Sequence, residues 1–482
     1  MRYRGFCGPS NPNQSLIADS ERLVNLYPEM VQSQGAPTDA ALLPVPGETP
    51  RYRTTDVGTR ALFAEHGRCW GVVGGGFYEF YEDGTYTRWG DVEQDAYPAT
   101  ISSNGVSGGH LFITSGGSGY CFELASHTLT NVLPHEATMG GHLNGRFLAF
   151  NIANGHVRIS NLNDGLTWDP LLWFGRNQAP DPWRSMLVRP PEIWLIGESS
   201  GEVWYYSDAY PQPFAPIPGA FFLVGTCAPF AAQIAGDHVV WVKQDPSGAG
   251  PIVAARGYIP ETISNFAVET AIGTYQRTAT ISDVEVLVHS MDGHLFASCN
   301  FPRAGGNWTY DFTMGAWHER LSWRSATGWS AWKPRVHCHV WGKHLVGQRD
   351  TGVISVLDRT TCTEADGSAI RRVRVAPPLY AKPGERLVVD RLQVYAEPGL
   401  GVIAGQGSNP LLMLRTSPDA KTWSNERTAS VGRMGEYCQL CVFHRCGSSE
   451  SLWVPEISCT DPIPWRFAGA DVQGSGIEQV AR

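Results

Sequence analysis

Residues 67–80 read Gly67-Arg68-Cys69-Trp70-Gly71-Val72-Val73-Gly74-Gly75-Gly76-Phe77-Tyr78-Glu79-Phe80. An apolar run, Arg68 to Val73, meets a glycine turn and returns through an aromatic run, Phe77 to Tyr81. β-Branched and aromatic side chains suit a pleated, half-buried surface, and glycine takes the positive φ that a tight hairpin needs. The stretch therefore reads as two antiparallel strands. A phosphate loop is the poorer reading, because the Lys-Ser/Thr ending and a following helix are both missing. The same plan recurs at 108–123, 144–161, 191–207, 236–254, 292–311 and 341–358. Successive units start 41, 36, 47, 45, 56 and 49 residues apart, close to the period of four-stranded propeller blades. One blade cannot bury both of its faces, whereas radial packing against neighbours does. The expectation is an all-β chain, a β-propeller of about seven blades over 56–370, with six as the alternative count. A sandwich of irregular hairpins is the competing plan.

Composition agrees. The 482 residues leave room for roughly three domains. The chain has 53 Gly and 33 Pro, aromatics make up 11%, and charged residues only 17%. Few charges and many aromatics argue against disorder. Frequent Gly and Pro argue against coiled coils and helical bundles. Only Ser20 to Leu26 reads as a turn or two of helix. The net charge of −9 argues against gripping DNA by phosphate neutralisation. Met1-Arg2-Tyr3-Arg4 is basic but no apolar run follows, so no secretory signal is expected. The longest uncharged stretch, Ala209 to Gly236, holds five prolines, so no membrane insertion is expected. Eleven scattered cysteines suit buried reduced thiols better than a disulfide framework.

The texture changes near Ile370. Arg371 to Pro378 is basic and Pro-ended, suited to an edge strand or a linker. Arg386 to Tyr395, Leu411 to Thr416, Thr428 to Val431 and Tyr437 to His444 then read as the strands of a β-sandwich over 371–471. Residues 1–55 are expected to be mostly irregular and to dock on the propeller, and 472–482 to form a flexible tail.

Candidate chemistry is sparse. Cys438, Cys441, His444 and Cys446 offer four soft ligands for zinc. Alternation along one strand would send Cys438 and Cys441 to opposite faces, so buried thiols are the preferred reading. Asn163 to Trp168 and Ser417 to Trp423 resemble the Asp-box hairpins of sialidase-type propellers, which are structural turns. No spacing picks out the facing carboxylate pair that glycoside hydrolysis needs. His337 and His339 fall on one strand face and read as rim or core positions. Trp308, Tyr310, Trp317, Trp323, Trp329 and Trp332 form either a sugar or subunit contact surface or blade core. No catalytic residue, cofactor or metal is assigned.

Arg22-Leu23-Val24-Asn25-Leu26-Tyr27-Pro28-Glu29, followed by Leu42-Leu43-Pro44-Val45-Pro46-Gly47, resembles the opening of the packaged-DNA stabilisation proteins of short-tailed phages, also called tail hub or nozzle proteins. The resemblance takes Pro46-Gly47 as a step into the first blade, and Ala61 to Phe63 with Gly74 to Tyr78 as that blade's opening strand, turn and aromatic return. Trp308-Thr309-Tyr310-Asp311, leading to Gly315-Ala316-Trp317-His318-Glu319-Arg320, resembles a late propeller hairpin of the family. Pro377 to Tyr380, Val388 to Val394, Leu411 to Asp419, and Gly435 to Tyr437 with Arg445 to Gly447 resemble its closing sandwich.

The resemblance implies a non-enzymatic virion tail protein, assembled in the host cytoplasm. It implies a homo-hexameric ring below portal and adaptor proteins that closes the channel after packaging. That ring would retain the DNA, conduct it at ejection without sequence-specific binding, and attach a tail needle and tailspikes or fibres. The candidate assembly residues are Asn25, Tyr27, Pro28, Glu29, Pro46, Gly47, Tyr310, Asp311, Trp317, Glu319 and Arg320. A carbohydrate-binding or glycan-cleaving propeller is the alternative, motivated by the Asp-box-like turns and the tryptophans.

Overall fold

Hairpins that expose apolar faces must stack, and they do so here around a closed ring. The computed structural model describes residues 1–31, 39–176, 178–244 and 250–478. Six four-stranded antiparallel sheets follow one another over 59–91, 100–133, 139–175, 183–222, 232–262 and 285–318. A seventh joins Pro334–Val340, Lys343–Gln348 and Val353–Asp358 to Gly47–Arg53, its outer strand. The seven hairpins read from the sequence are the second and third strands of these seven blades. In the first blade these are Arg68–Val73 and Gly76–Phe80, paired in register from Val73–Gly76 to Cys69–Phe80. Each innermost strand touches the next, and Pro334–Val340 touches Thr59–Glu65, so the ring is closed. All seven innermost strands line a central cavity of about 510 Å³. Between blades lie clusters such as Trp194, Val203, Val239 and Trp241, each fully buried. Burying one such aliphatic or aromatic side chain contributes roughly 1.5–3 kcal/mol.

The sandwich has one sheet of Leu26–Met30, Ala40–Pro44, Phe467–Ser475, Leu387–Ala396 and Cys441–Ser449. The facing sheet carries Asn11–Pro12, Ser20–Val24, Arg372–Val375, Leu452–Cys459, Leu379–Ala381 and Ile477–Glu478, with Leu411–Ser417 and Arg427–Ser430 alongside. Its core takes Tyr3, Phe6, Leu23, Leu26 and Leu42 from the N-terminal segment and Leu392, Trp453, Trp465 and Phe467 from the C-terminal one. The propeller is thus inserted into a sandwich built from both ends of the chain.

Several sequence expectations change. Residues 1–55 are not mostly irregular: they supply four sandwich strands and the outer strand of the seventh blade. Ser20–Val24 is a strand, because its pairing with Arg372–Val375 buries it on both faces. Arg372–Val375 is no edge strand or linker but lies between Ser20–Val24 and Leu452–Cys459. Its Arg374 donates to the carbonyls of Gly5, Phe6 and Pro9 at 2.7, 2.7 and 3.0 Å. The expected tail is structured as far as described: Val472 to Ser475 complete a strand and Val472 is buried; residues 479–482 of that expected tail lie outside the described residues. Among the described residues one helix occurs, Phe266–Thr278, between the fifth and sixth blades. The Asn265 side chain caps it by accepting from the Val268 N–H at 3.0 Å. No described helix is long and apolar enough to cross a membrane.

A candidate assembly joint between propeller and sandwich

Ser20–Val24 belongs to one sheet of the sandwich and Leu26–Met30 to the other. Asn25 makes the step between them at φ 56, a left-handed conformation that asparagine tolerates better than most residues. The step also brings the chain against the exit of the sixth blade. The Asn25 N–H donates to the Glu319 carbonyl at 2.8 Å and the Glu319 N–H to the Leu23 carbonyl at 2.9 Å, forming a short parallel bridge. The Asn25 side-chain amide donates to Leu321 O at 2.8 Å and Arg371 O at 2.7 Å, and its Oδ1 accepts from the Leu321 N–H at 3.0 Å. A 1% exposed amide thereby ties together the N-terminal strand, the exit of the sixth blade and the segment leading back to the sandwich. Burying a polar side chain is tolerated when its donors and acceptors are all matched.

Arg22 grips Glu319 from the side, Nε to Oε1 at 2.7 Å and Nη2 to Oε2 at 2.8 Å. This is the planar two-point geometry that suits a guanidinium to a carboxylate. Burial opposes the charge on Arg22, and the Glu319 carboxylate overrides it, holding the guanidinium above its usual range. The neighbouring Arg320 is buried, lies 3.6 Å over the Trp332 ring and donates to Pro46 O at 3.1 Å. Burial pushes Arg320 down to about 9. Burial also pushes the nearby Glu48 up to about 7, and Glu48 accepts from Gln348 Nε2 at 2.9 Å.

Gly47 stands where the chain leaves the sandwich. Its N–H donates to Thr361 O at 2.9 Å, and a Cβ there would meet that oxygen at 2.4 Å. Pro46-Gly47 leads into the outer strand of the seventh blade, not into the first blade as the resemblance suggested. A closing strand drawn from the other end of the chain has no local signal.

Tyr27 packs edge-on against His294 and Phe296, ring centres at 5.2 and 5.3 Å. Burial pushes its hydroxyl up to about 12. His294 Nδ1 lies 2.6 Å from Asp311 Oδ2, and Asp311 Oδ1 accepts from the N–H groups of Thr313 and Met314. His318 is buried beside Arg320, and burial pushes it down to about 3. Tyr310 and Trp317 rings lie 4.8 Å apart, and Trp317 Nε1 donates to Ile263 O at 2.9 Å. The Ser10 N–H reaches Trp317 O at 2.8 Å. The structure therefore collects Asn25, Tyr27, Pro46, Gly47, Tyr310, Asp311, Trp317, Glu319 and Arg320 along one intrachain seam. Pro28 is buried in its strand and Glu29 is exposed.

Other candidates resolve into structure. Trp308, Trp317 and Trp332 are buried, and Arg371 lies 5.1 Å over Trp323 and 5.9 Å over Trp329, so most of the tryptophan group is core and seam. Asp164 Oδ1 accepts from the Leu166 N–H, and Trp168 Nε1 donates to Gly165 O at 2.8 Å. Asp419 takes the N–H groups of Thr422 and Lys421, which hold its carboxyl below the usual range. Both Asp-box-like acids are thus spent on turns. Cys441 and Cys446 are buried as expected, but Cys438 is exposed, because the strand begins at Cys441 and not at Tyr437. His337 Nε2 lies 3.1 Å from His344 Nδ1, a partner that the spacing of His337 and His339 did not reveal. Arg22 and Leu321 in the joint were likewise not singled out, since only pairing across about 300 residues marks them. Chemically the joint is a clamp: Arg22 holds Glu319, and Asn25 and Arg320 hold the backbone.

Two family models match this chain. The model described as Bacteriophage P22 Gp10, beta-propeller covers residues 19–362, and Bacteriophage P22 Gp10, beta-sandwich covers residues 372–475. No curated protein matches it. Among solved structures, virginiamycin B lyase from Staphylococcus aureus is 10% identical, covering 62% of this chain and 94% of its own, with a TM-score of 0.41. The extracellular domain of the putative one component system BT4673 from B. thetaiotaomicron is 9% identical, covering 81% of this chain and 48% of its own, at 0.44. The computationally designed Ika8 protein is 11% identical, covering 70% of this chain and 100% of its own, at 0.39.

Proposed function

Since the chain belongs to the bacteriophage P22 Gp10 family of propeller-and-sandwich proteins, we propose that it is a structural tail hub, or nozzle, of a short-tailed phage. In this reading six copies form a ring below the portal and adaptor. The ring closes the channel after packaging, retains the genome, and conducts it at ejection while holding the needle and the spikes or fibres. The protein resides in the virion tail, is assembled in the host cytoplasm, and has no enzymatic role. The observation that carries the reading is the family match to both domains in their order along the chain.

The geometry supports it in two ways. A protein that holds a pressurised channel must carry load between its parts. Here the load path is backbone pairing and a buried clamp rather than a free linker. The charge also fits a conduit. Six copies at −9 each would carry −54 together, and a negative wall repels phosphate and lets DNA slide. The test is light scattering of the chain alone and with portal–adaptor rings. Six copies per ring are expected, and a chain that stays monomeric beside those rings would overturn the reading. A monomer in isolation is compatible, since the ring acts as template.

A further inference from the structure

Cys69 and Cys338 lie 269 residues apart in sequence, with their sulfurs 3.7 Å apart. Cys69 is on the second strand of the first blade and Cys338 on the innermost strand of the seventh. They meet in the cluster that packs these two blades together, with Tyr52, Val73, Tyr78, Leu345 and Ile354. This is the seam where the ring closes, and its closure is otherwise non-covalent apart from the chain running from Arg53 to Thr59. We propose that Cys69 and Cys338 are a redox lock, two thiols that a small peroxide converts into a disulfide bolting the last blade to the first.

The sulfurs touch without being bonded. A bond needs them about 1.7 Å closer, at roughly 2.05 Å. Cys69 is fully buried and Cys338 is 8% exposed, so in this proposal Cys338 reacts first. Its thiolate attacks one peroxide oxygen. The O–O bond breaks, leaving a sulfenic acid on Cys338, and the departing hydroxide leaves as water with the proton from the Cys338 thiol. The Cys69 sulfur then attacks the sulfenic sulfur. The S–O bond breaks, and its hydroxide takes the Cys69 proton to form a second water. Two thiols are oxidised by two electrons and one peroxide is reduced to two waters. Added thiol reverses the bond by exchange. The contact with Cys338 and burial hold Cys69 in its thiol form, which makes the lock slow to close.

The experiment uses the full chain, folded, treated with hydrogen peroxide, then alkylated in denaturant and mapped without reduction. The expected result is a linked peptide pair containing Cys69 and Cys338, lighter than the two thiol peptides by about 2 Da. The thermal midpoint should rise by several degrees on the scale of about 2–4 °C per kcal/mol, and return after dithiothreitol. Cys438, which is exposed, reports whether the oxidant acted. Recovery of Cys69 and Cys338 as alkylated thiols while Cys438 is oxidised would overturn the proposal. A linked pair with an unchanged midpoint would overturn the locking role. Cys69→Ser, close in size, should remove both the linked pair and the midpoint rise, and the wild-type map decides the question even if that variant does not fold.

Discussion

Asn25 and Leu321, 296 residues apart, hold each other by a reciprocal pair: Asn25 Nδ2 donates to the Leu321 carbonyl at 2.8 Å, and the Leu321 N–H donates to Asn25 Oδ1 at 3.0 Å. The side-chain amide here does the work of a strand neighbour. It pairs with a backbone that arrives from the propeller while its own backbone turns the corner between the two sandwich sheets.

Replacing Asn25 separates two effects. Asn25→Gly keeps the left-handed backbone and removes three side-chain hydrogen bonds, two of which satisfied the carbonyls of Leu321 and Arg371. Asn25→Ala removes the same bonds and adds a strained φ. We expect losses of about 2–4 kcal/mol for glycine and about 1 kcal/mol more for alanine. Urea unfolding measures both; equal losses would show that the conformation carries no strain.

Arg22 and Glu319 form a two-point ion pair with Glu319 only 6% exposed. Breaking it from one side leaves a poorly solvated charge. Arg22→Ala is expected to cost about 3–5 kcal/mol, reduced by the partial exposure of Arg22. The double change Arg22→Met with Glu319→Leu should cost less than the two single changes together. A double-mutant cycle reads the difference.

Gly47→Ala would place a methyl 2.4 Å from Thr361 O, a backbone atom that cannot rotate away. The closing strand must shift, at about 1–3 kcal/mol. Gly67→Ala is the matched control, with φ 73 but nothing within 4 Å of a Cβ. It should cost about 1 kcal/mol through backbone strain alone. Hydrogen exchange should show Gly47→Ala loosening Gly47–Arg53 against Val353–Asp358, and Gly67→Ala leaving that pairing intact.

Glu48 gives the stability a pH signature. Its carboxyl is pushed by burial from the ordinary 4.5 up to about 7. Between these values the folded state binds the proton that the unfolded chain has released, so stability falls as pH rises. The contribution is fully present below about 4.5 and lost on passing about 7. Glu48→Gln, which keeps an oxygen for Gln348, should remove this loss. The stability difference between wild type and variant should therefore drift by up to about 3 kcal/mol from pH 4.5 to 7, against the wild type at the higher pH. A flat difference across that range would contradict the assignment.

The blades were legible because their signal is local. Val72-Val73 followed by Gly74-Gly75 marks a strand and its hairpin within a few residues, and the repeat multiplies that signal seven times. What failed was closure. Ser20–Val24 carries residues compatible with a helix, and only its partner Arg372–Val375, far along the chain, makes it a strand. Gly47–Arg53 completes a blade whose other three strands come about 300 residues later. The helix Phe266–Thr278 carries little local signal, because its buried face is small, Ala267, Val268, Ile272 and Gly273, and Thr270, Thr274 and Thr278 interrupt the pattern. Asn25, Glu319 and Arg320 were picked out by family resemblance rather than by spacing. The structure shows them meeting one another inside the chain.

The most direct test of the tail-hub account is genome retention. Phage particles packaged in the absence of this chain are incubated with purified protein and challenged with nuclease, and the protected DNA is measured. The account predicts that particles without it lose their DNA and that adding it before release restores full protection. Equal retention with and without the chain would contradict the account.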